Sequence, residues 1–185
     1  MLWVYQIAGA KAESLASLEE VVEIAHRANE NTRTIGVGLS SCIVPANGKA
    51  TFALADDEIE VGLGIHGEPG MKRQKIAPVD EIIDEMFAQL MADFDYRNQR
   101  VALSINGLGG TPAEELFVVY RKVKELCDAH GITIAHKAVG EFVTALEMAG
   151  ASISITRLDP EMEILLNTPV NTCMFKKLRR ESSSS

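Results

Sequence analysis

Cysteine is scarce in this chain. Cys42, Cys127 and Cys173 are the three thiols among 185 residues. Their count is odd, their spacings are wide and no CxxC occurs, which excludes a zinc ribbon and argues against a disulfide framework. They read as reduced thiols of a cytoplasmic protein. Basic charge is also in deficit: 18 Lys and Arg against 26 Asp and Glu leave a formal net charge of -8. Sequence-independent nucleic-acid binding needs a basic surface to displace counterions, and anionic membranes attract basic segments. Neither partner is therefore expected. Long apolar runs are missing, so nothing approaches the roughly 18 residues that span a bilayer. The apolar start at residues 1–10 is too short for a signal segment with a charged lead. What remains, 46% hydrophobic and 24% charged residues, is the balance of a globular chain long enough to bury a core without a metal or disulfides.

The periodicities give an α/β layout. Residues 3–13 read as a helix that is unusually apolar, either buried in this domain or packed on something outside it. Residues 17–29 form a clearer helix: Ser17 caps it, Glu20 closes a capping box, and Leu18, Val21, Val22, Ala25 and Ala28 share a face. Residues 79–94 repeat the 3.6-residue pattern. So do residues 111–129, where Thr111 is the expected cap, Pro112 the first helical residue and Glu114 the closing acid, with Gly131 as the stop. Residues 101–105, 132–135 and 152–158 read as strands. Residues 35–66 hold two more strands without a helix between them. The expectation is a mixed β-sheet layered with amphipathic helices, one domain over residues 1–175, and a polar disordered tail over 176–185.

The segment DEIEVGLGIHGEPG, residues 57–70, carries the main chemical signal. Strand side chains alternate faces. Ile59, Val61, Leu63 and Ile65 are expected on the core face, and Gly62, Gly64 and His66 on the other, before Gly67, Pro69 and Gly70 turn the chain. Ile35, Val37 and Leu39 alternate with Gly36 and Gly38 in the same way, so two glycine-faced strands could line one cleft. Glycine in a strand often marks close approach of a ligand or of another backbone. His66 is either a hydrogen-bonded or surface residue at a strand end, or an acid, base or nucleophile beside that cleft.

The other constellations are weaker. His66-Gly67-Glu68 has the HxE spacing of zinc deaminases but lacks their PCxxC partner, so no metal site is assigned. NGLGGTP, residues 106–112, sits between a strand and a helix as a dinucleotide loop would. Pro112 stands where the third glycine belongs, and Glu114 and Glu115 would repel a phosphate. It reads as a tight turn before a helix, and no cofactor-binding residue is assigned. His26, His130 and His136 show no ligand spacing, and Glu147, Met148 and Asp159 form no evident pair.

GLGIHGEPG (62–70), NGLGGTP (106–112), TALEMAGASISI (144–155), NTRTIGVGLSSCIVPANGK (31–49) and NTPVNTCMF (167–175) together resemble the second half of dihydroxyacetone kinase binding subunits. The resemblance covers nearly the whole chain. It implies that His66 is the catalytic residue, attacking the carbonyl carbon of dihydroxyacetone to form a hemiaminal, with Gly64 and Gly67 beside it at the substrate. It implies a phosphoryl donor, ATP-Mg or a phosphorylated carrier, on a partner domain or subunit, and a possible homodimer. The family's subunit is about twice as long, and its first half carries a GGGSGHEP-type loop and an acid/base pair. Those motifs are not in these 185 residues, so the site is expected to need that N-terminal half or an equivalent chain. The family also includes regulatory coactivators related to the kinase, which leaves a non-catalytic ketone-binding role as the alternative.

Overall fold

Helices form where the 3.6-residue pattern is continuous. In the computed structural model, which describes residues 1–64, 70–172 and 175–177, they are α1 (Leu2–Glu13), α2 (Leu18–Glu30), α3 (Val79–Asp93), α4 (Ala113–Ala129) and α5 (Pro160–Leu166). The strands are β1 (Thr32–Gly38), β2 (Ile43–Val44), β3 (Lys49–Ala50), β4 (Glu58–Leu63), β5 (Lys72–Lys75), β6 (Arg100–Gly107), β7 (Thr133–Gly140), β8 (Gly150–Arg157), β9 (Val170–Asn171) and β10 (Lys176–Lys177). The chain divides into two compact units: Met1–Thr32 with the segment from Thr156 on, and Arg33–Ile155.

In the first unit α1 packs against α2 and α5, burying Trp3, Ile7, Ile24, Ala28, Met162 and Leu166. The Ser17–Glu20 capping box is present in full. The inward face of α2 differs from the expected one: Ile24 and Ala28 are buried, while Leu18 and Val22 are 73% and 45% exposed. Both apolar stripes satisfy helical spacing, and the packing of α1 chooses between them. Asp159 caps α5 through the Met162 N–H at 2.8 Å and lies 3.2 Å from Arg27 Nε, a partner that sequence spacing did not reveal. Glu161 bonds Lys11 at 3.0 Å and also Arg27. Those hydrogen bonds, Lys11 first and Arg27 second, hold its carboxyl below the usual carboxylate range. Lys176 and Lys177, expected in the polar tail, pair with Asn171 and Val170 instead. The rest of that expected tail, 178–185, lies outside the described residues.

The second unit is built on a six-stranded sheet in the order β5-β4-β1-β8-β6-β7. The pairs β5/β4 and β4/β1 are antiparallel, and β6/β7 is parallel, with α4 as the connection between them. The sheet is mixed, as expected. Ile35, Val37, Leu103, Ile105, Ile153 and Ile155 meet Ile83, Met86, Phe87, Leu116 and Val123 of α3 and α4 in the main core. β7 runs five residues beyond the expected end at 135, because β6 offers a parallel partner as far as Asn106↔Gly140. Thr111 does not cap α4. The N-cap is Pro112, without a side-chain bond, and the Thr111 hydroxyl is engaged elsewhere, as described below.

Candidate functional site

The glycine-faced strands do not line an open cleft. Gly36 pairs with Leu63 and Gly38 with Glu60, but Val37 pairs with Val61, so the register shifts by one residue between Gly36 and Val37. Gly62 is the extra residue, and its φ of +87° lies in the left-handed region that glycine adopts without strain. A one-residue bulge exchanges the faces of everything beyond it. Ile59 and Val61 therefore join the main core. Leu63, expected beside them, joins a second cluster with Cys42, Leu108, Ala145 and Met148. The bare side of β1 is filled by this residue. A Cβ on Gly38 would overlap the Leu63 side chain, and one on Gly36 would stand 2.8 Å from the Leu63 carbonyl oxygen. The alternation that assigned His66 its face ends at this bulge. Gly64 is exposed directly after β4. His66 and Gly67 lie outside the described residues.

The foot of the same hairpin is well defined. Met71 N–H donates to the Val61 carbonyl at 2.9 Å, and the Glu60 carboxylate accepts from Gly70 N–H and from Arg73 Nε, each at 3.1 Å. Against the hairpin lies a cavity of about 720 Å³ bounded by Thr34, Ile35, Gly62, Met71, Lys72 and Asp93, among others. A narrower apolar cavity of about 310 Å³ opens between Val37, Leu39, Ile82 and Val118.

Parts of three sequence motifs, those at 31–49, 106–112 and 144–155, meet at one place in this unit. Leu39 N–H donates to the Ala149 carbonyl at 2.7 Å. Ser40 Oγ accepts from Ala149 N–H at 2.9 Å, and Glu147 accepts from Ile43 N–H at 2.7 Å. Leu108 and Gly110 donate to the carbonyls of Gly150 and Met148 at 3.1 and 2.9 Å. The NGLGGTP loop thus spends these amides on the neighbouring segment and not on a phosphate. The Thr111 hydroxyl donates to the Gly150 carbonyl and accepts from the Gly150 N–H, both at 2.7 Å. Asn106, which sequence reading passed over as part of a turn, holds residues 142 and 143 with both ends of its amide. Its only sequence signal was its place within the NGLGGTP motif.

The other candidate side chains have structural partners. His130 ends α4 with Nδ1 2.8 Å from the Leu126 carbonyl, its ring 5.5 Å from that of Phe87. Cys42 and Cys127 are free and buried. Burial pushes the Cys127 thiol up to about 12. Because the thiolate is the reactive form, iodoacetamide at pH 8 is expected to leave Cys127 unmodified in the folded chain and to alkylate it once urea unfolds the chain, as read by peptide mass mapping. Among the described residues no group of His, Cys, Asp and Glu is arranged to hold a metal ion, and no helix is long and apolar enough to cross a membrane.

Residues 1–174 match the family model described as the Dak1 domain. The dihydroxyacetone-binding subunit DhaK of PTS-dependent dihydroxyacetone kinase 2 from Listeria innocua is 40% identical over 176 residues, covering 95% of this chain and 53% of that subunit. The L-erythrulose kinase of Pectobacterium atrosepticum is 38% identical over 181 residues, covering 95% of this chain and 31% of that enzyme. Among solved structures, the dihydroxyacetone kinase operon co-activator Dha-DhaQ superposes with a TM-score of 0.84 at 31% identity, covering 91% of this chain and 53% of that one. The chain thus spans about half the length of the DhaK relative and about a third of the erythrulose kinase.

Proposed function

This chain belongs to the Dak1 domain family, and from that premise we propose that it is the ketone-capturing part of a dihydroxyacetone kinase-type phosphotransferase, with His66 as the nucleophile. One observation carries the reading. The relatives that match along 95% of the chain are named for dihydroxyacetone and L-erythrulose, and both are ketones flanked by hydroxylated carbons. The group they share is the carbonyl, and the histidine of the GIHGEPG motif can react with that group.

In the proposed step a neutral imidazole nitrogen of His66 adds to the carbonyl carbon. The π pair moves to the oxygen, which takes up a proton, and the other ring nitrogen gives up its own. The product is a hemiaminal with no leaving group and no change of oxidation state. Glycerol has no carbonyl and is rejected by chemistry, where a pocket judging only shape discriminates weakly. Covalent capture also fixes the terminal hydroxyl for in-line phosphoryl transfer, a reaction whose catalysis is mostly positioning. Gly64 and Gly67 stand near the histidine in sequence and carry no side chain that would hinder a small substrate. The phosphoryl group comes from a separate donor domain or subunit carrying ATP-Mg or a phosphorylated carrier. Groups that bind the substrate hydroxyls come from a stretch equivalent to the half of the DhaK relative that this chain does not span.

The test is NMR titration with dihydroxyacetone labelled at the carbonyl carbon. The wild-type chain, alone or with a separately expressed first half, is expected to convert the ketone signal to a protein-bound tetrahedral carbon. His66→Ala is expected to give none, and glycerol no adduct with either. Absence of the tetrahedral signal from wild type in the presence of the first half overturns the reading. A second reading is favoured by the co-activator superposition: a non-catalytic, ketone-sensing protein whose partner is a transcription regulator. Capture without phosphorylation when a donor subunit is supplied selects it.

A further inference from the structure

We propose that Glu60 is the positioning residue for His66, anchoring Gly70 of the same sequence motif by its carboxylate; this rests on the reading of His66 as the ketone nucleophile. Glu60 sits in the interior of β4, and its side chain is only 7% exposed. A carboxylate is costly there unless it is hydrogen-bonded. Its two oxygens are divided between a main-chain donor, Gly70 N–H, and a side-chain donor, Arg73 Nε. Arg73 is its cross-strand neighbour and is 46% exposed, so solvent screens that half of the clasp. The buried half, to Gly70, does the holding.

The local geometry explains why Gly70 needs such a tie. An antiparallel ladder usually fixes both limbs of a hairpin, but the β4/β5 ladder pairs residues only as far as Val61↔Lys72, and Gly62, the bulge against β1, lies past that pair. Among the described residues the last backbone rung runs from Met71 N–H to the Val61 carbonyl. Past that rung, Gly70 N–H turns to the Glu60 carboxylate. Gly70 is drawn so close that a Cβ there would stand 2.5 Å from Glu60 Cγ and 2.7 Å from the Val61 carbonyl oxygen. The other limb is fixed by a different force, the burial of Leu63 among Leu108, Ala145 and Met148. The described residues on either side of His66 are thus tied by different forces, Leu63 by apolar burial and Gly70 by a carboxylate. A displacement of about 1 Å at a reacting group can cost 10²-fold in rate, which sets the scale of the expected effect.

The experiment compares Glu60→Gln, Glu60→Asp and Glu60→Ala in the full chain. Glutamine keeps the reach and one acceptor for Gly70 N–H but loses the charge. Aspartate keeps the charge but is a methylene short. The rate of adduct formation with carbonyl-labelled dihydroxyacetone is expected to stay within about threefold of wild type for glutamine, and to fall by about 10- to 100-fold for aspartate and alanine. Amide hydrogen exchange at Gly70 is expected to accelerate in the same order. A purely electrostatic or stability role would favour aspartate over glutamine, and a folded Glu60→Asp that captures ketone as fast as Glu60→Gln overturns the proposal. The two readings fail separately. If wild type captures no ketone, the nucleophile reading falls, and exchange at Gly70 alone judges the clasp: faster in aspartate than in glutamine upholds it, and equal in both overturns it.

Discussion

Gly109→Ala is expected to destabilise the second unit by about 4 kcal/mol or more, toward the extreme of single substitutions. Gly109 has a φ of +124°, a conformation that side chains other than glycine rarely take and that costs of order 1–3 kcal/mol by itself. Space is the larger problem. A Cβ at this position would penetrate the Leu146 carbonyl oxygen, which is backbone and cannot rotate away. Gly109 bridges Met148, and its neighbour Gly110 bonds the Met148 carbonyl, so separating the two segments also breaks the contacts around them. Thermal unfolding by circular dichroism is the measurement. At about 2–4 °C per kcal/mol for a chain of this size, the midpoint should drop by about 8 °C or more. A shift below about 2 °C would show that the loop relaxes freely and that its close approach is not needed.

Asn106→Ala is expected to cost about 3–5 kcal/mol. The side chain is 5% exposed and makes four hydrogen bonds. Its Oδ1 accepts from Phe142 N–H and Val143 N–H at 2.8 and 2.9 Å, and its Nδ2 donates to the Val143 carbonyl at 2.8 Å and to Ser152 Oγ at 3.2 Å. Alanine would leave two backbone donors and a carbonyl without this partner, and an unsatisfied buried group costs about 1–3 kcal/mol. Residues 142 and 143 lead directly into the 144–150 segment that bonds Leu39, Ile43, Leu108 and Thr111. The ketone capture proposed for His66 should therefore weaken along with stability. Urea unfolding of Asn106→Ala should move the midpoint at unchanged slope, and a midpoint within error of wild type would refute the assignment.

Local signals read well and non-local ones did not. Ser17 and Glu20 form their capping box because both partners lie within one turn of chain. Thr111, Pro112 and Glu114 looked like the same device, yet the Thr111 hydroxyl bonds Gly150, 39 residues away. A buried pair of backbone groups that would otherwise be unsatisfied outcompetes an exposed helix end already served by water. Helix α2 carries two apolar stripes, and only its packing on α1 decides that Ile24 goes in and Leu18 stays out. Asn106 was hidden because its partners at 142, 143 and 152 are remote in sequence.

The resemblance of its motifs pointed to the family, and composition, periodicity and turn chemistry determined the α/β class, the mixed sheet and the positions of α1 to α4 but not of α5. These depend on patterns within a few residues, which any fold must respect. The bulge at Gly62, the transfer of Leu63 to a second cluster and the burial of Glu60 over Gly70 were decided by tertiary structure. Period-2 alternation fixes faces only while the ladder keeps register, and a single extra residue at glycine, tolerated because its φ is free, reverses every face beyond it.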